Sequence, residues 1–222
     1  MSVAVLVPAA GRGERLGSGS PKALRLLAGE PLLLHAVRGL RAAPSVGPVV
    51  VAAPADDLDA VRAMLADLDV VVVAGGAERS DSVAAALAAL PPDAELVLVH
   101  DAARCLVPVE VVERVVAALR GGAEAVVPVL PVADTVKQVD DAGDVVATVP
   151  RADLRAVQTP QGFVRAVLER AHGAGLAGAT DDASMVEALG VPVRTVPGSE
   201  EGFKVTRPLD LVLAEAVLHV RG

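Results

Sequence analysis

Short runs of valine and other apolar residues alternate along this chain with longer alanine- and leucine-rich segments that have helical spacing. The apolar runs are continuous, which is typical of parallel strands covered by helices on both faces. This order predicts βαβ units. The predicted strands are 3–7, 49–53, 70–74, 96–99, 125–129 and 193–196, and the predicted helices are 31–42, 58–68, 81–90, 109–119, 163–174, 181–189 and 208–220. The sequence therefore predicts an α/β fold, with a Rossmann-like, mostly parallel sheet between two layers of helices.

The segment at about 131–153 breaks this pattern. Two strand-like stretches, 135–139 and 145–148, surround the turn-forming sequence DDAGD, which indicates a protruding β-hairpin arm. An isolated two-stranded ribbon is only marginally stable in water. We therefore expect the 222 residues to form a single domain, 1–222, whose arm packs against a second subunit in a homodimer.

Composition excludes several classes of protein. With two Phe and no Trp or Tyr, the chain lacks the aromatic platforms on which single-stranded nucleic acids stack. Its formal net charge of −8 repels nucleic acids and anionic membranes, and its apolar runs are far shorter than the roughly 20 residues that cross a bilayer. The single Cys105 permits no internal disulfide, which fits a reducing compartment, and we expect it to pack as a small hydrophobe. We therefore expect a cytoplasmic protein that binds neither nucleic acid nor membrane.

The first candidate site is the loop PAAGRGERLG, which follows the first predicted strand. Ligands of open parallel sheets bind beyond the carboxyl ends of the strands. Gly11 and Gly13 let the backbone approach an anion closely. Arg12, Arg15 and Lys22 supply the positive charge that a polyphosphate needs. The glycine spacing matches neither the dinucleotide fingerprint nor the P-loop, and a glycine-rich turn with solvated arginines is the alternative.

The second candidate site, GGAERSDS at 75–82, joins a predicted strand to a predicted helix. Gly76 can approach a base or a ribose edge, and the Ser82 hydroxyl can hydrogen-bond a sugar. The alternative is an ordinary helix start with Ser80 as the N-cap. This segment alone leaves both interpretations open.

Two further places carry charge. Asp101, in the sequence HDAAR at 100–104, can hold a divalent cation together with phosphate oxygens, because magnesium commonly takes only one or two carboxylates. An aspartate satisfied within its own loop is the alternative, and His100 is interpreted as structural. Lys204 lies in an apolar stretch interpreted as a strand, where a lysine is costly to bury unless it points into a polar cleft. The sequence TDDA at 180–183 is interpreted as a helix cap.

These motifs occur together, and in the same order, in the 2-C-methyl-D-erythritol 4-phosphate cytidylyltransferase family, which the chain resembles over nearly its whole length. The seven matching motifs are PAAGRGERLG with the following PK, GGAERSDSV, HDAAR, DTVK at 134–137, QTPQ at 158–161, TDDA at 180–183 and KVTRP at 204–208. Two positions depart from the usual family pattern: Cys105 replaces a proline, and Gly202 replaces an asparagine.

The resemblance implies an enzyme that transfers CMP from CTP to 2-C-methyl-D-erythritol 4-phosphate and releases pyrophosphate. The product would be 4-diphosphocytidyl-2-C-methyl-D-erythritol, an intermediate of non-mevalonate isoprenoid biosynthesis, and the cofactor would be Mg²⁺. A ribitol 5-phosphate cytidylyltransferase is the closest alternative. A catalytically silent nucleotide-binding module is a further alternative, but Lys22, Asp101 and Lys204 are intact, which argues against it.

The resemblance also implies a role for each matching residue. Nucleotide binding falls to Ala9, Ala10, Gly11, Arg12, Gly13, Arg15, Lys22, Gly76, Ser82 and Asp101, with Asp101 also holding the metal. The polyol phosphate is bound by Arg104, Thr135, Arg151, Thr159 and Lys204, of which Thr135 and Arg151 would reach in from the neighbouring subunit. The residues expected to carry catalysis are Lys22, Lys204, Arg15 and Asp101.

Overall fold

The computed structural model of the chain describes residues 2–11, 21–175 and 179–221. Its strands are β1 (Ser2–Pro8), β2 (Leu26–Leu27), β3 (Glu30–Pro31), β4 (Val49–Ala53), β5 (Val70–Ala74), β6 (Ala94–Val99), β7 (Ala125–Pro131), β8 (Val136–Val139), β9 (Val145–Val149), β10 (Arg155–Val157), β11 (Gln161–Val164) and β12 (Val193–Pro197). Its α-helices are α1 (Leu32–Arg41), α2 (Leu58–Met64), α3 (Arg79–Ala88), α4 (Val109–Arg120), α5 (Arg165–Gly173), α6 (Asp182–Ala188) and α7 (Pro208–Arg221).

Eight strands form one mixed sheet. Its order is β12, β7, β11, β6, β1, β4, β5, and β10 pairs with β7 along the same edge as β11. Strands β5, β4, β1 and β6 are parallel, as are β7 and β12, whereas β11 runs antiparallel to both β6 and β7. The predicted α/β fold with a mostly parallel sheet is therefore confirmed.

The antiparallel insertion was not predicted. Residues 163–174 were predicted to form a helix, but Phe163 and Val164 belong to β11 and the helix begins at Arg165. A side chain at Gly162 would meet Val115 of α4 at 2.5 Å, so glycine allows this helix to pack closely over the strand. The prediction of a helix from residue 163 was wrong because the run that forms β11 is short and carries no strand-like alternation.

Two hydrophobic cores lie on opposite faces of the sheet. Along β1, Val3, Val5 and Val7 pack with α1, α2 and α4, whereas Ala4 and Leu6 pack with α3, α5 and α6. Successive side chains of a strand point to opposite faces, so a continuous apolar run fills both cores. Because the helices cover the two faces of the sheet, the carboxyl ends of the parallel strands are bordered by loops.

A third, smaller cluster holds α7 against the body of the domain. Cys105 lies in this cluster with Leu106, Val205 and Ala214, and only 4% of Cys105 is exposed. Burial raises the pKa of the Cys105 thiol to about 12, so it remains protonated and unreactive. The prediction that this cysteine packs as a small hydrophobe is confirmed.

The predicted hairpin is present as β8 and β9, which form a separate two-stranded sheet. Three of its valines, Val139, Val145 and Val146, are more than half exposed. Within the described chain the ribbon therefore has an apolar surface that remains in contact with solvent. Over residues 2–11, 21–175 and 179–221, no helix is long and apolar enough to span a bilayer.

Candidate active site

A cleft of about 260 Å³ opens at the carboxyl ends of the parallel strands. Its walls come from the loop after β1, the turn between β5 and α3, the loop after β6 and the loop before α7. The lining residues are Pro8, Ala9, Ala10, Gly11, Lys22, Ala23, Gly76, Ala77, Glu78, Arg79, Ser82, Asp101, Ala102, Ala103 and Lys204. A cleft in this place is where open α/β sheets bind their ligands.

The cleft brings together eight of the residues named from the sequence. They are Ala9, Ala10, Gly11, Lys22, Gly76, Ser82, Asp101 and Lys204. Arg12, Gly13 and Arg15 lie outside the described residues. The remaining four, Arg104, Thr135, Arg151 and Thr159, are described but are not part of this lining.

Close backbone packing shapes one wall of the cleft. A side chain on Gly75 would meet the Ala10 Cβ at 2.6 Å, and one on Gly76 would meet the Asp81 Cβ at 2.2 Å. The Gly76 amide donates to the Ser82 hydroxyl oxygen at 3.2 Å, and that hydroxyl donates to the Glu78 carbonyl, also at 3.2 Å. Glycine is therefore required at both positions, and Ser82 fixes the turn that carries Gly76.

The start of α3 differs from the alternative considered for Ser80. The helix begins at Arg79, and its N-cap is Glu78, whose amide donates to Asp81 Oδ2 at 3.0 Å. Ser80 as N-cap is therefore wrong, because Asp81 meets the capping requirement from the third position of the helix. This start places the Arg79 side chain at the cleft.

Asp101 forms the electrostatic centre of the cleft. Its Oδ1 lies 3.1 Å from Arg79 Nε, and its Oδ2 lies 2.7 Å from Lys204 Nζ. Burial by itself would raise the pKa of this carboxyl, but the charges of Arg79 and Lys204 outweigh burial and hold it far below its ordinary value. Asp101 is therefore ionised throughout the physiological pH range, and it holds the side chains of Arg79 and Lys204 at the cleft.

Lys204 reaches the cleft from a loop and not from a strand. A 3₁₀ turn at Glu200–Gly202 precedes it, and the Val205 amide that follows it donates to the Ala103 carbonyl at 2.8 Å. The predicted strand around Lys204 is therefore wrong. The segment is held in place by this backbone hydrogen bond and by the burial of Val205, and not by pairing with a strand.

Arg104 and Gln158 hold the loop that carries Lys204. The Arg104 guanidinium donates to the Gly202 carbonyl at 2.9 Å and to the Val157 carbonyl at 3.1 Å. The Gln158 side chain accepts from the Ser199 amide at 3.0 Å and donates to the Ser199 carbonyl at 2.8 Å. These contacts fix the loop although Gly202 has no side chain to contribute.

Arg79, which links the cleft to the interior, was not among the residues predicted from the sequence. Its Nη1 lies 2.6 Å from Oδ2 of Asp182, a residue with a side chain only 1% exposed. Its signal, a cation in the first turn of a helix where the helix dipole disfavours positive charge, was hidden because the predicted helix begins at residue 81 and leaves Arg79 outside it. Identifying its carboxylate partners required the three-dimensional structure, because Asp182 is 103 positions away.

His100 lies behind Asp101 with both ring nitrogens engaged. Its Nε2 is 3.2 Å from the Arg104 carbonyl, which can only accept, so Nδ1 accepts from the Thr159 hydroxyl at 3.1 Å. The Thr159 oxygen in turn accepts from the Asp101 amide at 3.0 Å. Thr159 thus lies beneath Asp101, and its hydroxyl supports the backbone there.

We predict that His100 makes the stability of the domain depend on pH. Burial lowers the pKa of His100 from 6.5 to about 4, and the Asp101 charge opposes this only partly. Between pH 6.5 and 4, His100 therefore binds a proton in the unfolded chain but stays mostly neutral in the folded chain. The free energy of unfolding should fall by about 3 kcal/mol as the pH drops from 6.5 to 4, with little further loss from this group below that.

Urea unfolding of the metal-free protein at a series of pH values measures this effect. His100→Gln retains a polar side chain that does not titrate, so its stability should lack this component between pH 6.5 and 4. An equal slope in both proteins would show that His100 is not its source.

The residues of the cleft are compatible with an Mg²⁺ ion that would be held mainly by substrate phosphates. In the described part of the chain, no three His, Cys, Asp or Glu side chains group as a metal site. Mg²⁺ needs few protein ligands when substrate phosphates provide oxygens. Asp101 is ionised at the cleft, and its ion pairs with Arg79 and Lys204 leave lone pairs on both oxygens. One carboxylate of this kind is sufficient for such a site.

The fold and the cleft together define a class of enzyme. Glycine-rich turns, two lysines, an arginine and an ionised carboxylate converge at the carboxyl edge of an α/β sheet. Positioned positive charge around phosphates is the main requirement for transfer of a phosphoryl or nucleotidyl group. The arrangement therefore fits an enzyme that transfers phosphoryl or nucleotidyl groups.

Comparison with known proteins gives the family. The family model IspD, 2-C-methyl-D-erythritol 4-phosphate cytidylyltransferase, matches residues 3–220. The enzyme of that name from Frankia casuarinae is 60% identical over 216 residues, covering 97% of this chain and 81% of the relative. The one from Saccharopolyspora erythraea is 60% identical over 223 residues, covering 98% and 100%.

Solved structures agree with this result. The crystal structure of 2-C-methyl-D-erythritol 4-phosphate cytidylyltransferase from Thermus thermophilus aligns with a TM-score of 0.81 at 41% identity, covering 99% of this chain and 100% of that one. The chain belongs to the 2-C-methyl-D-erythritol 4-phosphate cytidylyltransferase family. The resemblance carried by the seven motifs is therefore confirmed.

Proposed function

We propose that the cleft binds CTP beside 2-C-methyl-D-erythritol 4-phosphate and is the place where this family's reaction occurs, the transfer of CMP with release of pyrophosphate. The product is 4-diphosphocytidyl-2-C-methyl-D-erythritol, made for isoprenoid biosynthesis by the non-mevalonate route. Family membership supports the reaction. The assignment to this cleft is based on the position of Asp101, which lies between Arg79 and Lys204 at the carboxyl edge of the sheet.

The nucleophile needs little help from the protein. A phosphate monoester carries a charge of about −1.5 to −2 at pH 7, so its oxygen attacks the α-phosphorus of CTP without first losing a proton to a base. The bond between the α-phosphorus and the bridging oxygen breaks as the new bond forms, and pyrophosphate leaves with that oxygen. His100 is neutral and buried, consistent with a reaction that requires no general base.

The task of the protein is then to bring two anions together. Lys22 and Lys204 both line the cleft and are the cations we assign to the reacting phosphates, together with Arg15. Charge placed in advance around the phosphorus stabilises the transition state more than it stabilises separated substrates. Arg12, Gly11 and Gly13 complete the proposed triphosphate site, with Ala9 and Ala10 against the nucleotide.

We assign the cytidine to the turn that follows β5. Gly76 lines the cleft where the base edge would meet the backbone, and Ser82 keeps that turn in place. Asp101 would hold Mg²⁺, which when bound would supply positive charge to neutralise the departing pyrophosphate. Arg104 and Thr159 support the polyol phosphate site from behind, through the Lys204 loop and the Asp101 backbone.

We further propose that the arm completes the active site of a second subunit. Thr135 and Arg151 are exposed and do not line the cleft of their own subunit in the described residues. Arg151 donates to the Ala133 carbonyl, which stabilises the base of the arm. Pairing of two arms in a homodimer would cover the exposed valines of β8 and β9. We place this enzyme in the cytoplasm, where the free Cys105 would stay reduced.

Product analysis tests the proposal. The protein is incubated with CTP, 2-C-methyl-D-erythritol 4-phosphate and Mg²⁺, and the mixture is followed by ³¹P NMR. We expect the signals of CTP and of the monoester to be replaced by equal amounts of pyrophosphate and a diphosphate diester. Formation of CMP or CDP, with the monoester unchanged, would contradict transfer to the polyol phosphate.

A further inference from the structure

An ion pair between Arg79, which lines the cleft, and the buried Asp182 ties the cleft to two helices on one face of the sheet. Asp182 Oδ2 is 2.6 Å from Arg79 Nη1, and Asp182 Oδ1 is 3.0 Å from His172 Nε2. Arg79 belongs to α3, His172 to α5 and Asp182 to α6. With the contact between Arg79 and Asp101, the contacts form a continuous chain from His172 to Lys204.

Asp182 is not needed to cap its own helix. The N-cap of α6 is Asp181, which accepts from the Ser184 amide at 2.9 Å and from the Gln161 side chain at 2.6 Å. The interpretation of TDDA as a helix cap is therefore correct for Asp181 and incomplete for Asp182. Both oxygens of Asp182 are directed to side chains of other elements.

The orientation of Arg79 depends on this carboxylate. Burial by itself would lower the pKa of the guanidinium, but Asp182 and Asp101 outweigh burial and hold the pKa above its ordinary value. With Nη1 fixed by Asp182, Nε is presented to Asp101 Oδ1, which leaves Asp101 Oδ2 for Lys204. Without Asp182, a free guanidinium can turn and bind both Asp101 oxygens as a bidentate pair.

We propose that Asp182 and His172 are positioning residues for nucleotidyl transfer, which hold Arg79 so that it shares Asp101 with Lys204. This inference rests on the proposed function of the cleft. Neither residue lines the cleft in the described structure. Asp182 therefore acts through Arg79, and His172 acts through Asp182.

A double-mutant cycle separates positioning from a general effect on folding. Asp182→Asn should lower kcat/KM roughly 10- to 100-fold per folded molecule, the scale expected when catalytic groups are displaced by about 1 Å. In an Asp101→Asn background the same substitution should lower it by less than about twofold, because the carboxylate that Arg79 shares with Lys204 is already gone. Losses that multiply in the double variant would overturn the proposal.

The neighbouring aspartate provides a matched control. Asp181→Asn also removes a carboxylate from the start of α6, but its partners, Gln161 and Ser184, are not part of the cleft. It should change thermal stability without changing kcat/KM per folded molecule. An equal loss of kcat/KM in Asp181→Asn and Asp182→Asn would indicate a general effect of α6 and contradict positioning.

His172 gives a second test that is independent of the Asp182 variant. His172→Gln retains an N–H that can donate to Asp182 and should keep most of the activity, whereas His172→Leu has similar bulk and no donor and should lose it. If both variants keep wild-type activity, or both lose it equally, the hydrogen bond of His172 is not part of the mechanism.

NMR of the arginine side chains tests the geometry without any turnover. The Arg79 Nε–H signal, assigned by its loss in Arg79→Lys, should be slow to exchange in the wild type because it donates to Asp101. Asp182→Asn should shift this signal and speed its exchange, and Asp181→Asn should leave it unchanged. An unchanged signal in Asp182→Asn would overturn the positioning of Arg79. Absence of CTP-dependent turnover in the wild type would instead overturn the proposed function.

Discussion

Replacing Asp101 by asparagine should lower kcat for CMP transfer by about 10² to 10³, or roughly 2.7 to 4 kcal/mol of transition-state stabilisation. Asparagine keeps the shape of the side chain and removes its charge. Lys204 would lose the anion that holds its Nζ at 2.7 Å, and Arg79 would lose one of its two carboxylates. Both cations would then be free to move away from the positions that the reacting phosphates need.

The variant should remain folded. Arg79 keeps Asp182 as its buried counter-charge, so this cation is not left without a partner. Asp59→Asn is a suitable control, since Asp59 is 99% exposed and forms an ion pair with Arg62 on the surface of α2. Near-wild-type kcat in Asp101→Asn at saturating CTP and Mg²⁺ would show that Asp101 has only a structural role in its loop.

Mixing two inactive variants, Lys22→Ala and Arg151→Ala, should restore activity to about a quarter of the wild-type value. Lys22 lies in the cleft of its own subunit, whereas Arg151 lies on the exposed arm. If the arm serves the partner, each mixed dimer has one site with both defects and one site with neither. Half of the dimers are mixed after random exchange, and half of their sites are intact.

This experiment requires proof that subunits exchange. Each variant carries a different affinity tag, and the mixed dimer is recovered by two successive purifications before its activity is measured. The purified mixed dimer should have about half of the wild-type activity, given two independent sites. If the mixed dimer is recovered and is as inactive as either parent, the arm does not complete the site of its partner.

The parallel part of the fold was predictable from sequence because its strands are continuous apolar runs, of which β1, β4 and β6 are almost wholly buried. Strands β4 and β5 begin and end at the predicted residues. Strands β10 and β11 were missed because they are short and their pairing to β7 is set by contacts from distant elements. The predicted strand at Lys204 was wrong because the apolar residue beside it, Val205, is buried by a loop that packs on the domain and not by pairing in a sheet.

The members of the site were easier to predict than their geometry. Gly76, Asp101 and Lys204 follow strand ends or carry charge in apolar surroundings, which are local signals. The bond from Arg79 to Asp182 joins residues 103 positions apart, and local pattern carries no information about it. Ser82 and Thr159 were predicted to bind ligand, and the structure adds that their hydroxyls also hold the backbone at Gly76 and Asp101.

The substrate preference of the purified enzyme tests the assigned reaction most directly. Pyrophosphate release is measured as kcat/KM in Mg²⁺ with CTP, UTP, ATP and GTP, each paired with 2-C-methyl-D-erythritol 4-phosphate or ribitol 5-phosphate. We expect the highest value for CTP with 2-C-methyl-D-erythritol 4-phosphate. An equal or higher value with ribitol 5-phosphate would contradict the polyol assignment, and equal turnover with ATP or GTP would contradict the assignment of the cleft to cytidine.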